Sequence, residues 1–385
     1  MREARDRARR RRLTALAGVG LAAAAIGIAV GADGGGERDG RGSENAGRSA
    51  ATTGPTLPLR RAVGELLVTA FDGTDAPEYI RRRLRDGEGA GVILFGGNVV
   101  DAAQLRRLTG SIQRAARGGA LIATDQEGGE IRNVPFAGPV SGQSLISSPA
   151  AASAAAGEAA RGLRAGGVNV NLAPVVDVEP PVGGGGALPG RLYPGSPRQV
   201  AAFTTAALRA HARERVAATV KHYPGLGRAT VNTDDGSATI DASRAELDAS
   251  DLAPYRAAVA ADAPLVMAGH ALYPAFDATY IASQSRVLLT DVLRERLGFR
   301  GVTITDSIEA QAVLDRSGVA TAAVRSVAAG ADVVLMTGSG SWNLVYPRLL
   351  RAARRSPGFR ARVRESAQRV LALKRRLGLR TSSAR

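Results

Sequence analysis

The sequence predicts an α/β fold in which eight strand-helix units close into a single (β/α)8 barrel of the TIM type. Three observations carry that expectation. Short β-branched runs recur at intervals from about residue 59 onward, helical patterns separate them, and most of the runs are nearly continuous in apolar residues, as parallel strands covered on both faces require.

In chain order the runs are ELLVTAF (65–71), GVILF (91–95), ALIATD (120–125), VNVNLAPV (168–175), VAATVKHY (216–223), PLVMAGH (264–270), GVTITDS (301–307) and DVVLMTG (332–338). Amphipathic or Ala/Arg-rich segments over 101–117, 196–213, 244–262 and 308–329 are long enough for the intervening helices. A doubly wound open sheet would carry a Gly-rich phosphate turn after its first strand, and AFDGTDAP is not one. The GGGG run at 183–186 has no helix directly after it and reads as loop. From Arg348 to Arg380 the apolar residues Val363, Ala367, Val370, Leu371, Leu373 and Leu377 are spaced as in a final barrel helix with a charged outer face. That face reads first as solvated, with contact to anionic lipid or cell-wall polymer as the lesser alternative.

The chain of 385 residues is long enough for one large domain of the barrel class or for two smaller ones. With no cysteine it has no disulfide and no thiolate zinc site, and three histidines leave little for a histidine-rich metal centre. No metal or organic cofactor is expected. The net charge of +16 is concentrated at the ends. Residues 1–12 hold seven arginines against Glu3 and Asp6, residues 348–385 hold thirteen basic residues against Glu365, and the remainder is close to neutral. That distribution argues against a nucleic-acid groove through the fold. The basic flank of residues 1–12 precedes an uncharged stretch from Leu13 to Ala32. Residues 1–32 therefore read as a signal peptide, with Val30 to Ala32 as a small-residue cleavage site, or as a membrane tether through 13–32; either way the rest is extracytoplasmic. Residues 33–58 read as a linker and 59–380 as the barrel domain.

Barrels of this class place chemistry at the carboxyl ends of their strands. Polar residues gather there: Asp125 ends the third run, Asn171 and Asp177 lie at or after the fourth, Lys221 and His222 end the fifth, His270 the sixth and Asp306 the seventh. A ring of carboxylates with one lysine and histidines suits a polyhydroxylated ligand, since carboxylates accept from sugar hydroxyls and Lys and His donate to them. Asp306, at the end of an apolar strand, could serve as a nucleophile on an anomeric carbon, with a second group protonating the leaving oxygen. Asp234 and Asp235 precede Gly236, which reads equally as a solvated turn. His270 reads more readily as a floor residue tying strand ends than as a direct participant. Trp342 and Tyr346 suit either a sugar face or packing of the last helix.

VILFGGN, ATDQEGGEIRN, NVNLAPVVDV, KHYPGLG and GFRGVTITDSIEA occur here in the order and spacing of glycoside hydrolase family 3. Over about residues 60–375 the chain resembles most the single-barrel bacterial β-N-acetylglucosaminidases. The resemblance implies a retaining glycosidase with Asp306 as catalytic nucleophile and Asp125, Arg191, Lys221 and His222 as substrate-binding residues; His270 joins the expected substrate-binding set from its strand-end position alone. Its substrate would be a terminal β-linked N-acetylglucosamine or a related residue, with peptidoglycan as a source. The sequence also departs from the family pattern. In the resembled enzymes the loop after KHFPGHG supplies a histidine as general acid/base and an aspartate that orients it, whereas the aligned positions here are Asp234 and Asn232, and Leu226 replaces the GHG histidine. Asn133 stands where the family has a substrate-binding arginine. Three readings follow: Asp234 or Asp235 is the acid, the acid comes from another loop or the enzyme uses activated substrates, or catalysis is lost and a sugar-binding barrel remains.

Overall fold

The computed structural model describes residues 57–180 and 186–381. The expected signal segment, almost all of the expected linker and most of the GGGG run lie outside the described residues. All eight expected strands are present. They are β1 (Leu67–Thr69), β2 (Gly91–Ile93), β3 (Leu121–Thr124), β6 (Val170–Asn171), β7 (Ala217–Tyr223), β8 (Leu265–Ala268), β9 (Val302–Ser307) and β10 (Val333–Met336). A short antiparallel hairpin of β4 (Gln126–Gly128) and β5 (Ile131–Arg132), not expected from the sequence, follows β3. The barrel strands pair in parallel in the closed order β1-β10-β9-β8-β7-β6-β3-β2. Closure is made by β1, where Val68 stands opposite Leu335 on one side and Gly91 on the other.

The barrel interior is filled by Ile93, Ala123, Leu172, Met267, Ile304 and Leu335, a packed core in which inward side chains leave no pore. Two expected helices are each broken. The 244–262 pattern divides into Arg244–Ala249 and Ala253–Ala260, because Pro254 has no amide to continue the first helix and sits in the opening turn of the second. The 308–329 pattern divides into Gln311–Leu314 and Val319–Ala329 on either side of Ser317-Gly318. The single final helix expected over 348–380 is likewise two helices, Ser341–Arg355 and Pro357–Arg376. Pro357 stops the first, and the Ser356 side chain caps the second by accepting from the Phe359 amide at 3.2 Å.

Pro357–Arg376 does not stand beside the strands but lies across their amino-terminal ends, where Val370 and Leu373 join Ala90, Leu121, Ala217 and Val302 in one apolar cluster. It is held there by Asp332, fully buried just before β10. Asp332 accepts from Arg362 at 2.5 Å, Arg369 at 3.1 Å, Ser366 Oγ at 3.0 Å and the Thr303 amide at 3.0 Å, and also pairs with Arg294. One carboxylate thus answers three arginines. Removing it leaves buried positive charge uncompensated, and Asp332→Ala is expected to lower unfolding stability by about 3–5 kcal/mol in urea titration.

His211, on the helix Pro197–Arg213, is buried with Nδ1 3.0 Å from the Ala207 carbonyl and Nε2 3.0 Å from Asn171 Nδ2. Burial lowers its ring pKa from 6.5 to about 4 despite the Ala207 contact. The folded protein then binds fewer protons than the unfolded chain between those two values. Stability supplied by the neutral ring is complete above 6.5 and is lost as pH falls toward 4. Urea titrations across that interval should show a pH slope that is smaller by close to one proton in His211→Gln.

Candidate active site

Asp125 leaves β3 at the mouth, and the β4–β5 hairpin then turns back over it. The turn depends on Gly128, whose φ is +99° and where a Cβ would lie 2.3 Å from the Ser141 carbonyl oxygen. The hairpin carries Glu127 into the interior beside Lys221, the residue near the end of β7. Lys221 Nζ donates to Asp125 at 2.6 Å and pairs with Glu127 Oε1 at 2.7 Å. Arg191, from the loop after β6, holds Glu127 with both arms of its guanidinium, Nε at 2.8 Å and Nη2 at 2.9 Å. Burial alone would raise the Glu127 carboxyl, but Lys221 and Arg191 outweigh it and hold the group at about 2. Asp125 is pushed up, because burial exceeds what Lys221 returns. Side-chain exposure divides the work: Glu127 (2%) and Lys221 (3%) are enclosed, while Asp125 (18%) and Arg191 (20%) reach the hollow.

The second half of the site is a line of three groups. Asp177, after β6, is fully buried and accepts from the His222 amide at 3.0 Å and the Leu226 amide at 2.7 Å through Oδ1. Its Oδ2 is 2.7 Å from His222 Nδ1. An ionised carboxylate only accepts, so Nδ1 carries the proton and Nε2 is turned outward. There it faces Asp306 Oδ2 at 3.9 Å. The loop after β7 can approach Asp177 this closely because of Gly227, where a Cβ would lie 2.0 Å from the Val178 carbonyl oxygen. Asp306 itself stands on β9 with its side chain 21% exposed, and its Oδ1 accepts from the Ser307 amide at 2.8 Å. Burial acts to raise this carboxyl, but its interactions with His222, His270, Lys221 and the Ser307 amide prevail and hold it below the usual aspartate value.

The structure therefore brings Asp306, Asp125, Arg191, Lys221 and His222 to one end of the barrel. His270 sits as the floor reading has it, behind the mouth rather than among the groups that reach the hollow. It is fully buried, with Nδ1 2.8 Å from Ser283 Oγ and Nε2 2.9 Å from the Ser307 carbonyl, so both ring nitrogens are occupied and it supports the backbone behind Asp306. Asn171 is also turned away from the mouth, bonding Gln126 and His211. Asn133 ties two loops, donating to the Asp125 carbonyl at 3.0 Å and accepting from the Gly96 amide at 3.1 Å. Asp234 stands exposed on a turn closed by the Asn232 carbonyl, which accepts from the amides of Asp235 at 2.9 Å and Gly236 at 3.1 Å. That turn docks on the segment following Asp306, where the Thr233 and Asp234 carbonyls accept from the Ala312 and Gln311 amides at 3.1 and 3.2 Å. Trp342 and Tyr346 pack on each other, with centroids 4.7 Å apart, beneath Arg83.

Glu127, the anion shared by Lys221 and Arg191, is absent from the sequence-based set. Its signal was the spacing: in an extended segment residues two apart share a face, so Asp125 and Glu127 point the same way. Among the described residues no group of His, Cys, Asp and Glu is arranged to hold a metal ion.

The chain matches the model of the glycosyl hydrolase family 3 N terminal domain over residues 58–373. It is 33% identical over 345 residues to an uncharacterized secreted glycosyl hydrolase of Arthroderma benhamiae, covering 85% of this chain and 97% of that one. A β-hexosaminidase of Xanthomonas oryzae pv. oryzae is 35% identical over 281 residues, 70% of this chain and 83% of that one. Among solved structures, a family 3 β-N-acetylglucosaminidase from Paenibacillus sp. str. FPU-7 superposes with a TM-score of 0.79 at 32% identity, the match covering 85% of this chain and 64% of that one. The β-N-acetylhexosaminidase of Beutenbergia cavernae superposes at 0.73 with 30% identity, covering 83% of this chain and 98% of that one. The closed parallel barrel and a family match that runs through nearly all of it make the chain a member of glycoside hydrolase family 3, a glycosidase related to the β-hexosaminidases.

Proposed function

We propose that this protein hydrolyses a terminal β-linked N-acetylglucosamine, or a closely related β-glycoside, with retention of configuration. The observation that carries the reading is the placement of Asp306, an accessible carboxylate kept ionised by its surroundings, beside Asp125 and Arg191, groups suited to sugar hydroxyls. In the first step an Asp306 oxygen bonds to the anomeric carbon as the bond to the leaving oxygen breaks, and that oxygen takes a proton from the acid. In the second, water replaces Asp306 and gives its proton back to the same group. Asp234 is the proposed acid/base. Support comes from its position in the loop after KHYPGLG and from the docking of that loop on residues 311 and 312, just beyond Asp306. Lys221 spends two of its three N–H bonds on Asp125 and Glu127, leaving one for the sugar. Its compact ammonium fits where the wider fork of arginine would not.

We place the enzyme outside the cytoplasm, with cell-wall sugar as the proposed source of substrate. This is supported by the basic flank and apolar stretch at the amino terminus and by the secreted Arthroderma relative. No helix among the described residues is long and apolar enough to cross a membrane, and residues 13–32 lie outside them.

The reading is tested with nitrophenyl β-N-acetylglucosaminide. Turnover is expected, to be abolished in Asp306→Asn, and Asp234→Ala should regain rate when azide is supplied as an external nucleophile. Sugar binding with no turnover would instead identify a binding barrel, the outcome favoured if the missing loop histidine has no substitute. Azide without effect on Asp234→Ala would remove Asp234 from its role.

Glu127→Gln keeps the shape of the enclosed side chain and removes its charge. Misplacement of Lys221 and Arg191 is expected to lower kcat/KM by about a hundredfold, mostly through KM, with the circular dichroism spectrum unchanged.

A further inference from the structure

Strand polarity sends the active site to one end of the barrel and the last helix to the other. Besides Asp332, that helix is fixed at the base by Lys374, which pairs with Glu65 just before β1 at 2.5 Å, and by Arg376, which pairs with Asp262 just before β8 at 2.8 Å. Its opposite side is open to solvent, with Arg364, Gln368, Ala372 and Arg375 recurring at helical spacing. The preceding helix, Ser341–Arg355, runs from the mouth toward the base and buries Val345, Leu349 and Ala353. Its outward row is Leu344, Arg348, Arg351 and Arg355, all exposed.

Among the described residues, none of Arg348, Arg351, Arg354, Arg355, Arg364 and Arg375 forms an ion pair with a carboxylate, and the exposed Glu365 of the last helix is already taken by Arg362 and Arg369. Like charges at helical spacing repel, so a solvated, solubilising surface would be better served by interleaved acids. The turns entering β3, β7 and β9 add exposed Arg117, Arg215 and Arg300 at the same end. Leu57, the first described residue, belongs to the apolar cluster that also holds Val345, Leu349, Val363 and Leu371, so the described chain begins against these two helices.

We infer that the base of the barrel, centred on Arg351, Arg355, Arg364 and Arg375, is a docking surface for an anionic phospholipid bilayer, with the active-site mouth directed away from it. The inference rests on the extracytoplasmic reading above, in which the segment upstream of Leu57 is a membrane-directed one. Charge complementarity selects anionic headgroups.

The barrel can be tested alone, as residues 54–385, because the matched span makes up nearly the whole of the Beutenbergia chain. Sedimentation with phosphatidylcholine vesicles is compared with sedimentation with vesicles that also contain about one third phosphatidylglycerol. Binding is expected only to the anionic vesicles, and is expected to disappear near ~1 M salt, where charges act over only about 3 Å. The triple variant Arg351→Glu, Arg355→Glu, Arg364→Glu should bind them about two orders of magnitude more weakly, with an unchanged melting temperature. Equal binding to neutral vesicles, or an unaffected triple variant, overturns the inference. So does binding to soluble poly(glycerol phosphate) without binding to vesicles, which would assign the face to a wall polymer. These readouts do not depend on turnover, so a catalytically silent barrel would leave them intact.

Discussion

An ammonium and a guanidinium can be withdrawn from water only where anions meet them at hydrogen-bond distance, and at the mouth of this barrel Glu127 meets both. Lys221 is almost wholly enclosed, and its neighbours Asp125 and Glu127 lie within 2.7 Å. Without the second of these, the ammonium of Lys221 would be held by one partner, Asp125, that is itself partly in solvent. The bidentate grip of Arg191 on Glu127 extends the same constraint to the loop after β6. Three segments far apart in sequence are therefore oriented by one side chain that has almost no contact with the hollow. Desolvation is what makes the arrangement rigid, since any displacement leaves a charge unpaired in a medium that solvates it poorly.

The base of the barrel obeys the same rule for another purpose. Asp332 collects three arginines and fixes the closing helix under the strands. The charge of Asp332 and its three arginines is consumed in holding elements together. At the mouth the polar atoms left over after internal pairing face outward: one oxygen of Asp306, the exposed parts of Asp125 and Arg191, and Nε2 of His222. Barrels separate stability from chemistry along their axis, and here the division appears as two buried carboxylate hubs at opposite ends.

Strand positions were readable in the sequence because a parallel barrel strand is buried on both faces and so becomes an uninterrupted apolar run. The strand-end residues Asp125, Lys221, His222 and Asp306 followed once those runs were placed. Helix integrity was less readable, since Pro254 and Ser317-Gly318 interrupt otherwise continuous amphipathic patterns. The β4–β5 hairpin escaped notice because its strands are too short to show alternation, and Glu127 went with it. His270 is open to both a floor and a ligand-contact reading from the sequence, because sequence position gives the end of a strand but not the direction of a ring. Only the neighbouring Ser283 and Ser307 reveal that both nitrogens are spent. Arg191 was identified by family resemblance alone, and the partner that explains it lies 64 residues away.

The sign of the charge at the mouth bears on what can react there. Asp125, Glu127, Asp177 and Asp306 face two permanent cations, Lys221 and Arg191, so carboxyl groups outnumber the permanent cations at the mouth. A glycosyl group departing from its leaving oxygen develops positive charge on the anomeric carbon and ring oxygen. A fixed excess of carboxylate favours that state over the neutral sugar that enters, and the enclosing walls strengthen the preference by excluding water. The same excess disfavours phosphorylated or otherwise anionic sugars at the reacting subsite. The carboxylates gathered at the mouth and the exposed arginines of the last two helices thus lie at opposite ends of the parallel strands.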